Sequence, residues 1–309
     1  MTKAKLNQPK LNQLAMLATV ADHGSFGAAA AALDCTQSRI SHGIGELEAA
    51  LGFRVLERSR TGCTPTEAGQ RVLAAARQIL QLAATLPGLG PGGAPVTGRL
   101  RLASFRSVST HLLPPVLAAL ALDHPGIRID VDDSFEERDA LAQALRDGRA
   151  DVAIAQLPVE RGLVTRPYVA DDYVLVAPRS RVLPAPLDWA RLDGLPYLQL
   201  DCAGARDMAA RCRDAGFGAR PERTLATDSA IAALIARGLG YSFLPRLAIH
   251  PLPEGVQVLP LPIAARRQFV IAALPEMARQ PACAVVMRYL AQARLQQDST
   301  AYRAGLLAG

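Results

Sequence analysis

Seven residues, Thr36-Gln37-Ser38-Arg39-Ile40-Ser41-His42, gather hydrogen-bonding side chains at the start of a helix-forming stretch. Their chemistry suits the edges of base pairs. An arginine such as Arg39 can donate two bonds to guanine, and a glutamine such as Gln37 can pair with adenine or bond a phosphate. Ser38, Ser41 and His42 are smaller donors; His42 taken alone reads as a solvated surface histidine. The start of a helix also favours phosphate. Downstream, Arg54, Arg58 and Arg60 recur in a short extended stretch, as phosphate contacts or as plain surface charge.

A second concentration lies in "ASFRSVST", residues 103–110, where a strand gives way to a helix. Ser104, Ser107, Ser109 and Thr110 can donate, Arg106 adds a cation, and the helix N-terminus favours negative charge. A small carboxylate or other anion fits this junction. A neutral ligand stays open, and any one of these serines can equally serve as a helix cap. Nothing in the chain reads as catalytic: there is no HExxH, P-loop, G-x-S-x-G elbow or Cys-x-x-Cys pair. Asp132-Asp133 and Glu136-Glu137 read as solvated surface, so no catalysis, metal or cofactor is assigned.

The elements that must position these groups follow from periodicity. Leu14, Leu17, Ala18 and Ala21 recur at helix spacing; Gly24 ends that helix and Ser25 can cap the next. Asp34-Cys35 makes a turn and Thr36 caps a third helix, whose core stripe is Ile40, Ile44, Leu47 and Leu51. That helix contains Gly43 and Gly45, each costing roughly 1 kcal/mol relative to alanine. On a helical wheel Gly43 falls at the edge of the core side, where it can meet the alanine-rich helix 28–32. Gly45 falls on the outer face, where a missing side chain permits close approach of DNA.

"GFRVLERSRTGCTPT" then reads as a two-stranded wing with a turn at Gly62. From Thr66 a helix runs to about Leu86, with a seam of Val72, Ala76, Ile79, Ala83 and Leu86 suited to pairing with a second chain or to packing on its own domain. The Gly- and Pro-rich residues 86–95 form a linker. Beyond it, strands and helices alternate, which argues an α/β fold with largely parallel sheets and a ligand site beyond the strand ends.

The chain has 309 residues, enough for two or three domains, and a formal net charge of +6. Its three lysines, Lys3, Lys5 and Lys10, all lie in the first ten residues, as a basic arm for phosphate or simply a solvated terminus. No apolar run is long enough to span a bilayer, and the polar start lacks a signal-peptide core, which places the protein in the cytoplasm. Five cysteines without framework spacing fit reduced thiols.

The stretch from Phe26 to Gly69 resembles the winged helix-turn-helix of LysR-type transcriptional regulators. The matching residues are Ser25-Phe26, Ala29-Ala30, Leu33, Gln37, Ser41, Ile44, Leu47-Glu48, Leu51-Gly52, Leu56-Glu57-Arg58, Thr66 and Ala68-Gly69. It departs at Ser38, where proline is common, and at Gly43 and Gly45, where larger polar residues are usual. "HLLPPVLAALALDHPGIRIDV", "LRDGRADVAIA" and "IARGLGYSFLP" are similar to the effector domain of the same family, which has a periplasmic-binding-protein fold.

The resemblance implies a DNA-binding domain over 1–65, a linker helix and hinge over 66–97, and a two-lobed effector domain over 98–309. Lobe I is then 98–161 with 267–297, lobe II is 162–266, and the crossovers lie near 158–164 and 264–268. It implies a ligand-responsive regulator that binds double-stranded DNA as a homo-oligomer, a dimer through linker helices and a tetramer through effector domains. RNA polymerase is a candidate further partner. DNA contacts fall to Ser25, Thr36, Gln37, Ser38, Arg39, Ser41, His42, Arg54, Arg58 and Arg60. The small-molecule effector falls among Ser104, Phe105, Arg106, Ser107, Val108, Gln156, Asp201, Cys202 and Thr227. Asp133 and Asp201 are candidates for salt bridges with Arg106 or Arg206. Two alternatives stand beside this reading: a cytoplasmic solute-binding protein of the same fold, and a thiol sensor through Cys202 and Cys212, which resembles peroxide-responsive members of the family. The position matching the peroxidatic cysteine is Gly204.

Overall fold

Ser25, Thr36 and Thr66 each begin a helix by accepting a backbone N–H three residues on, from Ala28, Arg39 and Gly69 at 3.1, 3.2 and 2.8 Å. Such caps are each worth about 1 kcal/mol, and they set where the helices start. The computed structural model describes residues 8–59, 62–84, 86 and 96–307. Arg60, Lys3, Lys5 and most of the Gly/Pro linker lie outside the described residues. The chain divides into two units, one of the residues up to Gly98 with Gln143–Ala150, the other of Arg99–Ala142 with Asp151 onward.

The first unit holds α1 (Leu11–His23), α2 (Phe26–Ala32), α3 (Gln37–Leu51), a β1–β2 wing (Leu56–Ser59 and Gly62–Pro65) and α4 (Glu67–Ala83). Gly24 and Gly52 end α1 and α3 at φ of +68° and +81°, conformations that suit glycine. Leu17, Val20, Ala29, Ile40, Leu47 and Val55 form a core closed to solvent. The expected partner of Gly43 is corrected. A Cβ there would lie 2.4 Å from the Met16 sulfur, so α3 closes on α1 at that point and not on the alanines of α2.

The wing is fastened by residues that carry the family resemblance. One Glu48 carboxylate oxygen accepts the Val55 and Leu56 N–H groups at 2.8 and 3.3 Å. The Thr66 hydroxyl donates to the Arg54 carbonyl at 3.0 Å, and the Thr66 N–H donates to Val55 at 3.1 Å. The Cys63 N–H reaches the Gly24 carbonyl at 2.7 Å. Helix α4 meets the strand so closely at Gly69 that a Cβ would sit 1.9 Å from the Val55 oxygen.

The expected seam on α4 divides. Ala76 is buried with Leu73, and Val72 and Leu80 pack on the same core, because α1 claims that side of the helix. The exposed apolar stripe on the helix is instead Ala75, Ile79 and Leu82, at spacings of 4 and 3, with Leu86 exposed beyond the helix end. The helix ends at Ala83, short of the expected Leu86.

Beyond the linker come β3 (Gly98–Phe105), α5 (Arg106–Asp123), β4 (Ile127–Phe135), α6 (Arg138–Arg146) and β5 (Val152–Gln156), all in the second unit except Gly98 and the end of α6 from Gln143. The 15-residue β6 (Val164–Pro178) follows, then β7 (Tyr197–Leu200), α7 (Ala203–Asp214), β8 (Pro221–Leu225) and α8 (Asp228–Ala236). β9 (Ser242–Pro245), β10 (Val256–Pro260) and β11 (Arg266–Ala273) complete the sheets. Helices α9 (Pro275–Ala278), α10 (Pro281–Leu290), α11 (Ala293–Gln297) and α12 (Thr300–Arg303) close the chain.

The main sheet runs β10-β6-β11-β5-β3-β4, with β9 also on β6. It is mixed, which corrects the expectation of largely parallel sheets. β3–β5 and β7–β8 are parallel, while β6 and β11 are antiparallel to each other and to their other partners. The cause is one long strand serving both lobes. Val164–Asp172 of β6 pairs with β11 in the first lobe, and Tyr173–Pro178 pairs with β9 and β10 in the second. The first passage between lobes therefore falls near Asp171–Tyr173, inside a strand, and not at 158–164.

Gly69→Ala should cost about 1–3 kcal/mol, since overpacking against a backbone carbonyl leaves little room to relax. The check is a lowered melting temperature of the N-terminal unit with the second unit's transition unchanged.

Candidate functional site

On α3 the outward face is open. Thr36, Gln37, Ser38, Arg39 and His42 are exposed, and a Cβ on Gly45 would meet nothing within 4 Å. Arg39 makes no ion pair among the described residues. His42 Nδ1 lies 3.8 Å from Glu46, whose carboxylate also accepts from Gln13 at 2.8 Å and lies 4.0 Å from Lys10. Lys10 is thus seated beside α3. Arg58 is no loose wing cation: its guanidinium donates to the Ser41 hydroxyl at 3.0 Å and sits 4.1 Å from the centre of the Phe26 ring. Ser41 is correspondingly half-buried and engaged. Arg54 is exposed, and Ser25 is half-buried at its cap.

The second unit contains a cleft of about 350 Å³ between its lobes. Of the expected effector residues, Phe105, Arg106, Ser107, Gln156, Cys202 and Thr227 line it. Ser104 and Val108 do not: both are fully buried, and Ser104 is hydrogen-bonded to Ser109 at 2.5 Å. Asp201 is exposed and outside the lining, its carboxylate accepting from Arg206 at 2.8 Å. Arg106 pairs with Glu136 at 3.5 Å rather than with Asp133.

Several cleft residues escape sequence reasoning. Glu136 and Glu137, expected as solvated surface, both line the cleft, with Asp139, Asp207 and Asp228. Arg106, Arg138, Arg211, Arg266 and Arg267 set five cations against these five carboxylates. Arg267 and Asp171 form a buried bidentate pair at 2.7 and 2.7 Å. Burial alone would lower the Arg267 pKa, but the Asp171 charge and hydrogen bonds overcome this and raise it. The Tyr173 hydroxyl, pushed up by burial, lies 2.9 Å from where a Cβ on Gly204 would sit.

Three helix starts open on the cleft, at α5, α7 and α8. Thr227 caps α8, accepting from Ala230 at 3.3 Å, and Asp228 adds an acid to its first turn. On α7 the Ala203 N–H donates to both Glu137 oxygens at 3.1 Å. The start of α5 has no side-chain cap hydrogen bond, and Arg106 stands beside it.

Cys202 and Cys212 sit at opposite ends of α7, about 15 Å apart at 1.5 Å per residue. A disulfide needs Cα atoms within about 7 Å, so this pair can join only if α7 unwinds. Burial raises the Cys202 thiol, against the Ala205 N–H; Glu137 raises it further and Arg206 and Arg267 oppose. Burial pushes the fully enclosed Cys212 up to about 11.

Two family models match the chain: a bacterial regulatory helix-turn-helix protein of the lysR family over residues 11–70, and a LysR substrate binding domain over residues 93–294. The chain is 35% identical over 294 residues to a probable HTH-type transcriptional regulator LrrA of Synechococcus elongatus, covering 91% of this chain and 96% of that one. It is 34% identical to a probable hydrogen peroxide-inducible genes activator of Streptomyces viridosporus, over 80% of this chain and 81% of that protein. The fold is similar to a full-length OxyR variant of Pseudomonas aeruginosa, with a TM-score of 0.70 at 23% identity, covering 95% and 98% of the two chains.

Alkylation of Cys212 in the folded protein should be slow at neutral pH, because the thiol is fully enclosed and burial holds it protonated, pushed up to about 11. Mass spectrometry of iodoacetamide-treated protein follows it. Rapid labelling at pH 7.5 would show that α7 opens.

Proposed function

The chain belongs to the LysR family of bacterial helix-turn-helix regulators, and from that premise we propose how its parts divide the work. The α3 face reads DNA. Gln37, Ser38, Arg39 and His42 meet base edges in the major groove, near the helix N-terminus as such helices do. Thr36, Ser25 and Arg54 meet phosphates, and Arg58, anchored on Phe26 and Ser41, offers a fixed cation at the same border. A second copy pairs along Ala75, Ile79, Leu82 and Leu86, and the resulting oligomer acts on promoter DNA in the cytoplasm, with RNA polymerase as the machinery it influences.

The cleft takes a small anion, and one observation carries this reading. The N-terminus of α5 has no side-chain cap hydrogen bond and carries Arg106, which Glu136 approaches only at 3.5 Å, whereas α7 has an amide bonded to Glu137 and α8 has Asp228 in its first turn. An anionic group there gains the helix dipole and a guanidinium together. Phe105, Ser107, Gln156 and Thr227 supply the surrounding wall. Ligand binding shifts the lobes, and through them the oligomer and the DNA it bends; bending a site of 20–30 base pairs costs on the order of 1–6 kcal/mol, within reach of a ligand with modest differential affinity. A free solute-binding role is disfavoured by the DNA-binding unit.

Two measurements test these assignments. Footprinting on the DNA beside the protein's own gene, at two salt concentrations, should give protection over at least two helical turns. Arg39→Ala should cost about 1–3 kcal/mol and relax base preference, whereas Arg54→Ala should weaken binding uniformly and lower the salt slope by about 1. Calorimetry with a panel of small carboxylates should find a binder whose affinity falls about tenfold or more in Arg106→Ala, a loss typical of one charge-assisted bond. Binding that ignores Arg106 would move the anion away from α5.

A further inference from the structure

The loop between β4 and α6 sends two adjacent carboxylates in opposite directions. Glu136 stays in the first lobe and pairs with Arg106 at the first turn of α5, at 3.5 Å. Glu137 crosses to the second lobe. Both its oxygens accept the Ala203 N–H at 3.1 Å, and one lies 3.7 Å from Arg206. Ala203 is the first residue of α7, and its amide is among the donors a helix cannot satisfy internally. The residue in the cap position is Cys202, which forms no side-chain cap hydrogen bond. Helix α8 in the same lobe has its own Thr227 cap. The acceptor for this first amide is supplied by a carboxylate 66 residues away, on the other lobe.

We propose that Glu137, together with Glu136, is a built-in occupant of the cleft: a tethered carboxylate latch that joins α7 to the first lobe while no effector is bound. Given the anionic-effector reading above, on which this second part rests, binding at the cleft is an exchange of carboxylates. A tethered group acts at an effective concentration in the millimolar range, so a ligand with one anionic group competes poorly. A ligand with two anionic groups replaces both glutamates, one group at Arg106 and the α5 start, the other at Ala203 and Arg206. Displacement frees the loop and unties the lobes, which converts occupancy into movement.

Hydrogen exchange on the full-length protein tests this, with succinate as the probe dianion. Without any ligand, Glu137→Ala should exchange the first turn of α7 about fivefold faster than wild type, the factor a helix cap typically contributes. Glu137→Gln, which keeps an acceptor and loses the charge, should fall between, so that loss of packing is not mistaken for loss of the latch. Succinate should protect that turn in Glu137→Ala at about a tenfold lower concentration than in wild type. Unchanged exchange in Glu137→Ala overturns the latch. Equal succinate dependence in wild type and Glu137→Ala overturns the competition. Faster exchange with no succinate protection in either protein upholds the latch and overturns the dianionic occupant.

Discussion

The second unit depends on one buried ion pair. Asp171 and Arg267 face each other across β6 and β11 where the two strands pass from one lobe to the other, and neither is exposed beyond 7%. A pair taken out of water is stable only if its geometry offsets the desolvation of both charges. Here two N–H···O bonds of 2.7 Å join them, the Leu247 N–H donates to Asp171 at 3.2 Å, and the guanidinium lies over the rings of Tyr173 and Phe269. Removing one partner of such a pair costs about 3–5 kcal/mol, because the other charge is left alone in a dry site. The pair also fixes register: a slip of one residue in either strand would bury a charge without its mate. Tyr173, Arg266 and Arg267, which line the cleft, lie at or beside this crossing.

Charge balance in the cleft follows from the same logic. Five arginines and five carboxylates line it, and the closest of them are already matched, Arg106 with Glu136 and Arg138 with Asp139. A cleft of this kind does not attract anions by net charge. It offers positions where one negative group can replace another without changing the balance. The Arg106 guanidinium and the Ala203 amide sit at helix starts, while the two glutamates that pair with them sit between β4 and α6.

The reach of the sequence can be judged from particular residues. Stripes and caps were legible, since Ile40, Ile44 and Leu47 or Ser25, Thr36 and Thr66 act on neighbours three or four residues away. Six of the nine expected effector residues line the cleft, because a strand-to-helix junction is itself a local signal. Ser104 and Val108 fail there for a simple reason: at a junction, alternate side chains turn inward, and residue type does not say which. The glutamates at 136 and 137 were illegible because adjacent acids look solvated until a distant arginine or amide is brought to them. A wheel placed Gly43 on the inner side of α3 but could not say that Met16, and not an alanine, fills the space. The short, fully buried β9 has too few residues to show a period, and β6 gives no sign in its sequence that its two halves serve different lobes.

The two glycines of α3 show how local cost and tertiary gain separate. At Gly43 the missing side chain admits the Met16 thioether and lets α1 approach, so the helix loses propensity and gains packing. At Gly45 no such contact exists among the described residues, where a Cβ would touch nothing within 4 Å. A helix whose termini are set by Thr36 and Gly52, and whose inner face is sealed by Ile40, Ile44 and Leu47, tolerates that loss. Gly45 stands exposed on the face that carries Ser38, Arg39 and His42, the face proposed above to read DNA. A surface kept bare beside hydrogen-bonding groups suits close approach to a groove, and Gly45 leaves this surface bare at the propensity cost of a helical glycine.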